Sequence, residues 1–254
     1  MKIKFNIKRE LKILASIIVV VTVIAFTEHK QTDVAIKDVS VKITNIHNNH
    51  FLEEGDILEL MQLNVQNLRG AKIEQVKLKE IEKKIQKDPF IKNAEMYTDL
   101  KGNLIVRVEL RRPIARIVRN DGPDGYIGED GTVMPVSEKF TARVLLISGG
   151  YVRTLLQTDN LNKNQEGKEL LTLINTIRNN EFWNAQIAQL DIDRKGNITM
   201  MPQVGDERIQ FGKPDKADVK LKKLMIFYKE ILPRVGWNKY NRVNLEYEGQ
   251  LVAE

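Results

Sequence analysis

The chain has 254 residues, 42% of them hydrophobic, which suits one large or two small globular domains and excludes a disordered chain. Its net charge of +6 is concentrated at the start, where Lys2, Lys4, Lys8, Arg9 and Lys12 oppose only Glu10. Only about +2 is left for everything that follows, which excludes a nucleic-acid footprint, and the absence of cysteine excludes disulfides, thiolate nucleophiles and cysteine-based metal sites.

Leu11 to Thr27, LKILASIIVVVTVIAFT, is apolar from end to end. About 17 residues of helix rise about 25 Å, close to the lower limit for crossing a hydrocarbon core. The basic flank predicts a short cytoplasmic tail, residues 1–10, and export of the roughly 225 residues that follow. A cleaved secretory signal is the alternative, with Val23-Ile24-Ala25 as a weak cleavage site, but no small-x-small motif closes the run. The expected organisation is an uncleaved anchor at 11–27, a polar linker at 28–38, and domains at 39–115 and 116–254.

Val39, Val41 and Ile43 alternate with Ser40, Lys42 and Thr44 as in a half-buried strand. A turn at His47 to His50 leads to a short helix, Ile57–Met61, with Glu53, Glu54 and Asp56 at its positive end. Leu78, Ile81 and Ile85 mark the inner stripe of the next helix, with Lys77, Lys79, Glu80, Glu82, Lys83, Lys84 and Lys87 outside. Asp88-Pro89 ends it, because proline lacks the next backbone donor. Ala94 to Thr98 and Leu104 to Leu110 read as a hairpin through Asp99-Leu100-Lys101-Gly102-Asn103. In its second strand Leu104, Val106, Val108 and Leu110 face the core, and Ile105, Arg107, Glu109 and Arg111 face water.

After Pro113 the chain is β-rich. Short strands are predicted over Ile114–Arg119, Tyr126–Ile127, Thr132–Pro135 and Val144–Ile147, followed by a helix over Glu166–Arg178. Ile187–Ile192 and Ile198–Met201 form a second hairpin through Asp193-Arg194-Lys195-Gly196-Asn197, which repeats the residue choices of Asp99 to Asn103. Ile209–Phe211 is a strand, Lys216–Leu232 a helix with Val219, Leu224, Phe227 and Ile231 inward, and Tyr240–Val252 the last strand.

Catalytic signatures are missing: no G-x-S-x-G, S-x-x-K or H-E-x-x-H occurs. His47 and His50 are spaced like a metal pair but have no third ligand nearby. The carboxylate pairs Glu53/Glu54 and Glu129/Asp130 are explained by a helix start and a turn, and the glycines from Gly122 to Gly131 punctuate turns rather than a phosphate loop. The expectation is therefore no enzyme, no cofactor, no metal and no small-molecule substrate.

Asp88-Pro89-Phe90-Ile91-Lys92-Asn93-Ala94 followed by E-L-R-R-P-I-A from Glu109 to Ala115 resembles the D-P-x-V-x-x-A and E-x-x-P-x-A steps of the bacterial cell-division proteins called FtsQ or DivIB. Tyr126 to Val133 resembles the entry hairpin of that family's β domain, and Arg242 to Val252 its closing D-L-R-Y-x-N/G-Q strand. Asn244 and Glu246 stand where the pattern has Asp and Arg, and the long basic cytoplasmic tail of many members is nearly absent. The resemblance implies an α+β protein: a transmembrane helix, a POTRA domain of order β-α-α-β-β, and a mostly antiparallel β domain with flanking helices.

It further implies a non-enzymatic scaffold of the divisome in the inner membrane, single-pass, with most of the chain in the periplasm at the septum. Its partners would be the small membrane proteins FtsB and FtsL, its lipid contact residues 11–27. The unpaired groups of an edge strand can take a partner strand, and the expected site is Arg242, Val243, Asn244, Leu245, Tyr247, Gly249, Gln250, Leu251 and Val252. Val243, Leu245, Tyr247 and Gly249 would share one face, Asn244, Glu246, Glu248 and Gln250 the other, with Tyr247 and Leu251 as anchors. Tyr247 as a core residue under a covered edge is the opposing reading. A membrane-anchored envelope enzyme and a sensor ectodomain are the alternatives from other classes.

Overall fold

The computed structural model describes residues 12, 14–23, 35–45, 49–61 and 68–254. They fall into two compact units: the described part of Met1–Ile43 with Glu53–Lys87 and Asn93–Val108, and Thr44–Leu52 with Asp88–Lys92 and Glu109–Glu254. Residues 14–23 are helical (α1), and Leu14, Ile17, Ile18 and Val19 are more than half exposed. Among the described residues no helix is long and apolar enough to cross a membrane. The expected span, 11–27, runs at both ends into residues outside the described ones, as does His47.

In the first unit β1 (Val39–Thr44), β2 (Ile91–Thr98) and β3 (Leu104–Leu110) form a sheet of order β1-β3-β2. The alternation predicted for β1 is present, with Val39, Val41 and Ile43 half-buried between exposed neighbours. α2 (Glu54–Met61) starts earlier than predicted, where the Asp56 carboxylate accepts the Glu53 N–H at 2.8 Å. α3 (Leu78–Ile85) buries Ile85 and half-buries Leu78 and Ile81.

Glu82 corrects the expected polar face of α3: it is only 6% exposed. It lies four residues from Leu78 and three from Ile85, so helix geometry turns it inward. Its Oε1 accepts the Met96 N–H at 2.7 Å and its Oε2 accepts Lys79 Nζ at 2.8 Å, which satisfies the buried carboxylate. Ile105, expected in water, is also buried, because β3 is the central strand.

The second unit holds one nine-stranded sheet. Its strands are β4 (Pro113–Ile117), β5 (Gly125–Gly128), β6 (Val133–Pro135), β7 (Leu145–Ser148), β8 (Ile187–Ile192), β9 (Ile198–Pro202), β10 (Arg208–Gly212), β11 (Arg242–Asn244) and β12 (Val252–Ala253). Their spatial order is β12-β11-β10-β9-β8-β7-β4-β5-β6. The junctions β4–β7, β7–β8 and β10–β11 are parallel and the rest antiparallel, so the sheet is mixed. The helices are α4 (Val152–Leu156), α5 (Gln165–Asn179), α6 (Glu181–Gln186), α7 (Ala217–Ile226) and α8 (Leu232–Val235), with a π-helical turn, Phe227–Ile231, joining the last two.

One face of this sheet is apolar and closed. Ile147, Leu190, Met200, Ile209, Phe211 and Val243 pack with Leu173 and Ile174 of α5 and Leu221 and Leu224 of α7 in one buried cluster. Asn164 and Asn180 start α5 and α6 by accepting the N–H groups of Gly167 (2.7 Å) and Trp183 (3.1 Å). On the opposite face the polar side chains are ordered across the strands. Gln189 donates to Ser148 Oγ and Ser148 donates to Asp191 Oδ2, both at 2.7 Å. At the β5–β6 end a cluster of Phe51, Phe90, Tyr126, Met134 and Ala142 covers that face.

Two expectations for the C-terminal part are corrected. Val219 is 57% exposed rather than inward, because the buried stripe runs through Ala217, Leu221 and Leu224 on the other side of α7 and continues to Tyr228 in the π-helical turn. Tyr240–Val252 is not one strand but two short ones, β11 and β12, paired antiparallel through Val243↔Ala253 and Asn244↔Val252. The chain leaves the extended conformation after Asn244 and turns back at Gly249, whose φ of +71° is open to glycine at little steric cost.

Candidate partner-binding surface

The expected site residues all fall on this β11–β12 hairpin at the sheet's edge, but they divide by environment. Val243 (0% exposed) and Leu245 (1%) belong to the core and leave no surface for a partner. Tyr247, placed on their face by strict alternation, is instead 51% exposed, because the strand ends before it. Gly249 and Gln250 are exposed at the turn, while Leu251 and Val252 are half-buried. Arg242 pairs with Glu254 across the hairpin, and Glu254 exchanges main-chain hydrogen bonds with Arg242 at 3.1 and 2.9 Å. Thus β12 covers the outer edge of β11, and the free edge belongs to β12.

Asn244 fixes the base of the loop between the two strands. Its Nδ2 donates to Gln210 Oε1 at 2.9 Å, across the parallel β10–β11 junction, and its Oδ1 accepts the Glu246 N–H at 2.8 Å. The Leu245 N–H donates to the Gln210 carbonyl at 2.9 Å. Asparagine can serve both directions at once because its amide carries donor and acceptor.

Lys223, on α7, was not legible as part of the site. Its ammonium donates to the carbonyls of Leu245 (2.9 Å), Tyr247 (2.7 Å) and Gln250 (2.9 Å). Burial pushes its pKa down, and neighbouring Lys220 adds to that, against the pull of Glu248. The nearest sequence signal is a lysine between exposed Val219 and Ile226 on an otherwise solvated helix face, and the acceptors are main-chain atoms that carry no residue signature.

His50 is exposed, with its ring edge-on to Phe140 at 5.7 Å. Among the described residues no group of His, Asp and Glu side chains is placed to hold a metal ion. The surface offers an exposed aromatic ring, a short free strand edge and a carbonyl-bound loop, which are means of holding a polypeptide.

Comparison with known families agrees with the architecture. Residues 112–254 match the model described as FtsQ/DivIB, C-terminal related, and residues 35–109 match the POTRA-like domain. No curated protein sequence matches the chain. A match over more than half of the chain, next to a POTRA-like domain in the expected order, means that the chain belongs to the FtsQ/DivIB family of cell-division proteins.

Proposed function

We propose that this protein is a non-enzymatic scaffold of the divisome that binds FtsB and FtsL through its extracytoplasmic part. In this reading residues 11–27 anchor it once in the inner membrane, residues 39–115 form the POTRA-like docking domain, and residues 116–254 present the partner site at the septum. The observation that supports it most is the C-terminal hairpin, where exposed Tyr247 stands beside the only two-residue strand of the nine-stranded sheet. A partner strand added to β12 would pair with its main chain, while Tyr247 would give an aromatic anchor. Arg242, Asn244, Gly249, Gln250, Leu251 and Val252 form the rest of the proposed surface; Val243 and Leu245 support it from the core.

The test is binding of full-length protein, in lipid nanodiscs, to the extracytoplasmic segment of FtsB, with Tyr247→Lys as the variant and circular dichroism as the folding control. Binding by the wild type and its loss in a folded variant support the reading. No binding by the wild type well above micromolar concentration overturns the partner assignment.

A further inference from the structure

We propose that Lys223 is the positioning residue of the C-terminal hairpin: its ammonium gathers three carbonyls of the 245–251 loop and thereby turns the amides of Glu248 and Leu251 outward, toward acceptors on a partner. This rests on the hairpin being the partner site. A lysine ammonium has three N–H donors and no acceptor. Here its contacts are the carbonyls of Leu245, Tyr247 and Gln250, all from one loop.

The consequence for the amides follows from peptide geometry. In a planar trans peptide the carbonyl of one residue points opposite to the N–H of the next. With the Leu245 carbonyl on Lys223, the Glu246 N–H points away and is taken by Asn244 Oδ1 at 2.8 Å. With the Tyr247 and Gln250 carbonyls on Lys223, the N–H groups of Glu248 and Leu251 point away as well. Neither of these two meets an acceptor among the described residues. The loop therefore turns these two N–H donors outward while the carbonyls joined to them are occupied, so the fitting partner brings main-chain carbonyls, and the exposed Glu246 and Glu248 carboxylates disfavour an acidic one.

Beyond Asn244 at its base, the other tether among the described residues is the Lys216–Glu248 ion pair at 3.6 Å, whose exposure on both sides makes it weak. Glu246, Tyr247, Glu248, Gly249 and Gln250 are all exposed, so apolar burial contributes little between Leu245 and Leu251. Lys223 itself stands on α7, whose inner side is fixed in the core by Leu221 and Leu224. The rigid helix thus carries the cation, and the cation carries the loop.

The experiment is hydrogen–deuterium exchange on full-length protein in nanodiscs, comparing wild type, Lys223→Met and Lys223→Arg, with and without the extracytoplasmic segment of FtsB. In Lys223→Met, exchange of the hydrogen-bonded amides at Leu245 and Glu246 is expected to rise about tenfold or more, with α7 and β8 to β10 unchanged, since bonds from a charged donor that hold the loop are lost. Lys223→Arg, which keeps the charge, is expected to fall between the two. With FtsB, wild-type amides at Glu248 and Leu251 gain protection and those of Lys223→Met do not. Unchanged loop exchange in Lys223→Met, or faster exchange throughout the second unit, overturns the proposal. If the loop contrast holds but FtsB protects neither amide in the wild type, the partner reading fails and the role of Lys223 in holding the loop stands.

Discussion

The Tyr228 hydroxyl donates a 2.6 Å hydrogen bond to Glu207 Oε1, and both side chains are 2% exposed. This bond ties the π-helical turn after α7 to the start of β10, and Glu207 Oε2 meets no donor among the described residues. Burial, then the bond to Glu207, pushes the Tyr228 pKa far above the ordinary phenol value of 10.0.

Tyr228→Phe therefore leaves a buried carboxylate without the one donor it has among the described residues. The expected cost is about 1–3 kcal/mol, the usual penalty for an orphaned buried group. At about 2–4 °C per kcal/mol for a chain of this size, calorimetry on the variant should show a clearly lower Tm. A Tyr228→Phe variant as stable as the wild type would mean that the bond contributes nothing net.

The same tyrosine sets a direction for alkaline stability. Its folded pKa lies above its unfolded one, so between the two the unfolded chain loses a proton that the folded chain keeps. Stability is fully present below 10.0 and falls as pH rises beyond it. Ultraviolet titration should show one tyrosine that ionises only as circular dichroism reports unfolding.

Asp99 and Asp193 hold two turns of the same design. Each carboxylate accepts N–H groups from the residues two and four positions on, and each is also bonded to the amide of that fourth residue, Asn103 or Asn197, at 2.9 Å. The main-chain and then the side-chain bonds from those asparagines lower both pKa values below 3.8. The stability they contribute is present above 3.8 and is lost as pH falls through the folded value. Asp193→Ala should lower the urea midpoint at neutral pH, and the gap to the wild type should close as the solution is acidified.

These turns were legible because every partner lies within five residues, in a D-x-K-G-N pattern that both segments spell out. The inward positions of α3 were legible for a similar reason, since a helical stripe is local. Glu82 was not, because its acceptor role is satisfied by Met96, fourteen residues on. Nor were the parallel junctions of β7 with β4 and β8, which need strands distant in sequence. At the candidate site, Val243, Leu245 and Tyr247 imitate one alternating strand. The break between Leu245 and Tyr247 depends on Asn244, Gln210 and Lys223, of which only Asn244 is local.

Glu82 yields a prediction confined to the first unit. Glu82→Ala removes the acceptor for the Met96 N–H and leaves that amide buried without a partner. A loss of about 1–3 kcal/mol is expected. Exchange of the amides in β2 should speed up while those in β8 to β10 keep their wild-type rates, and uniform acceleration over both units would count against a local role.

Asn244 and Gln210 allow a sharper test, because Asn244 stands where the family pattern has aspartate. Asn244→Asp alone costs little, since the Gln210 amide can rotate and donate to the new carboxylate. Gln210→Glu alone also costs little, since Asn244 Nδ2 then donates to a charged acceptor. Together they place two carboxylates on adjacent residues of β10 and β11, a registered pair with no donor between them. The double variant should therefore be less stable than the sum of the singles by roughly 0.5–1 kcal/mol at neutral pH, with the excess vanishing once a carboxylate is protonated. Additive behaviour in denaturant titrations would show that the 2.9 Å contact between the two side chains does not couple the strands.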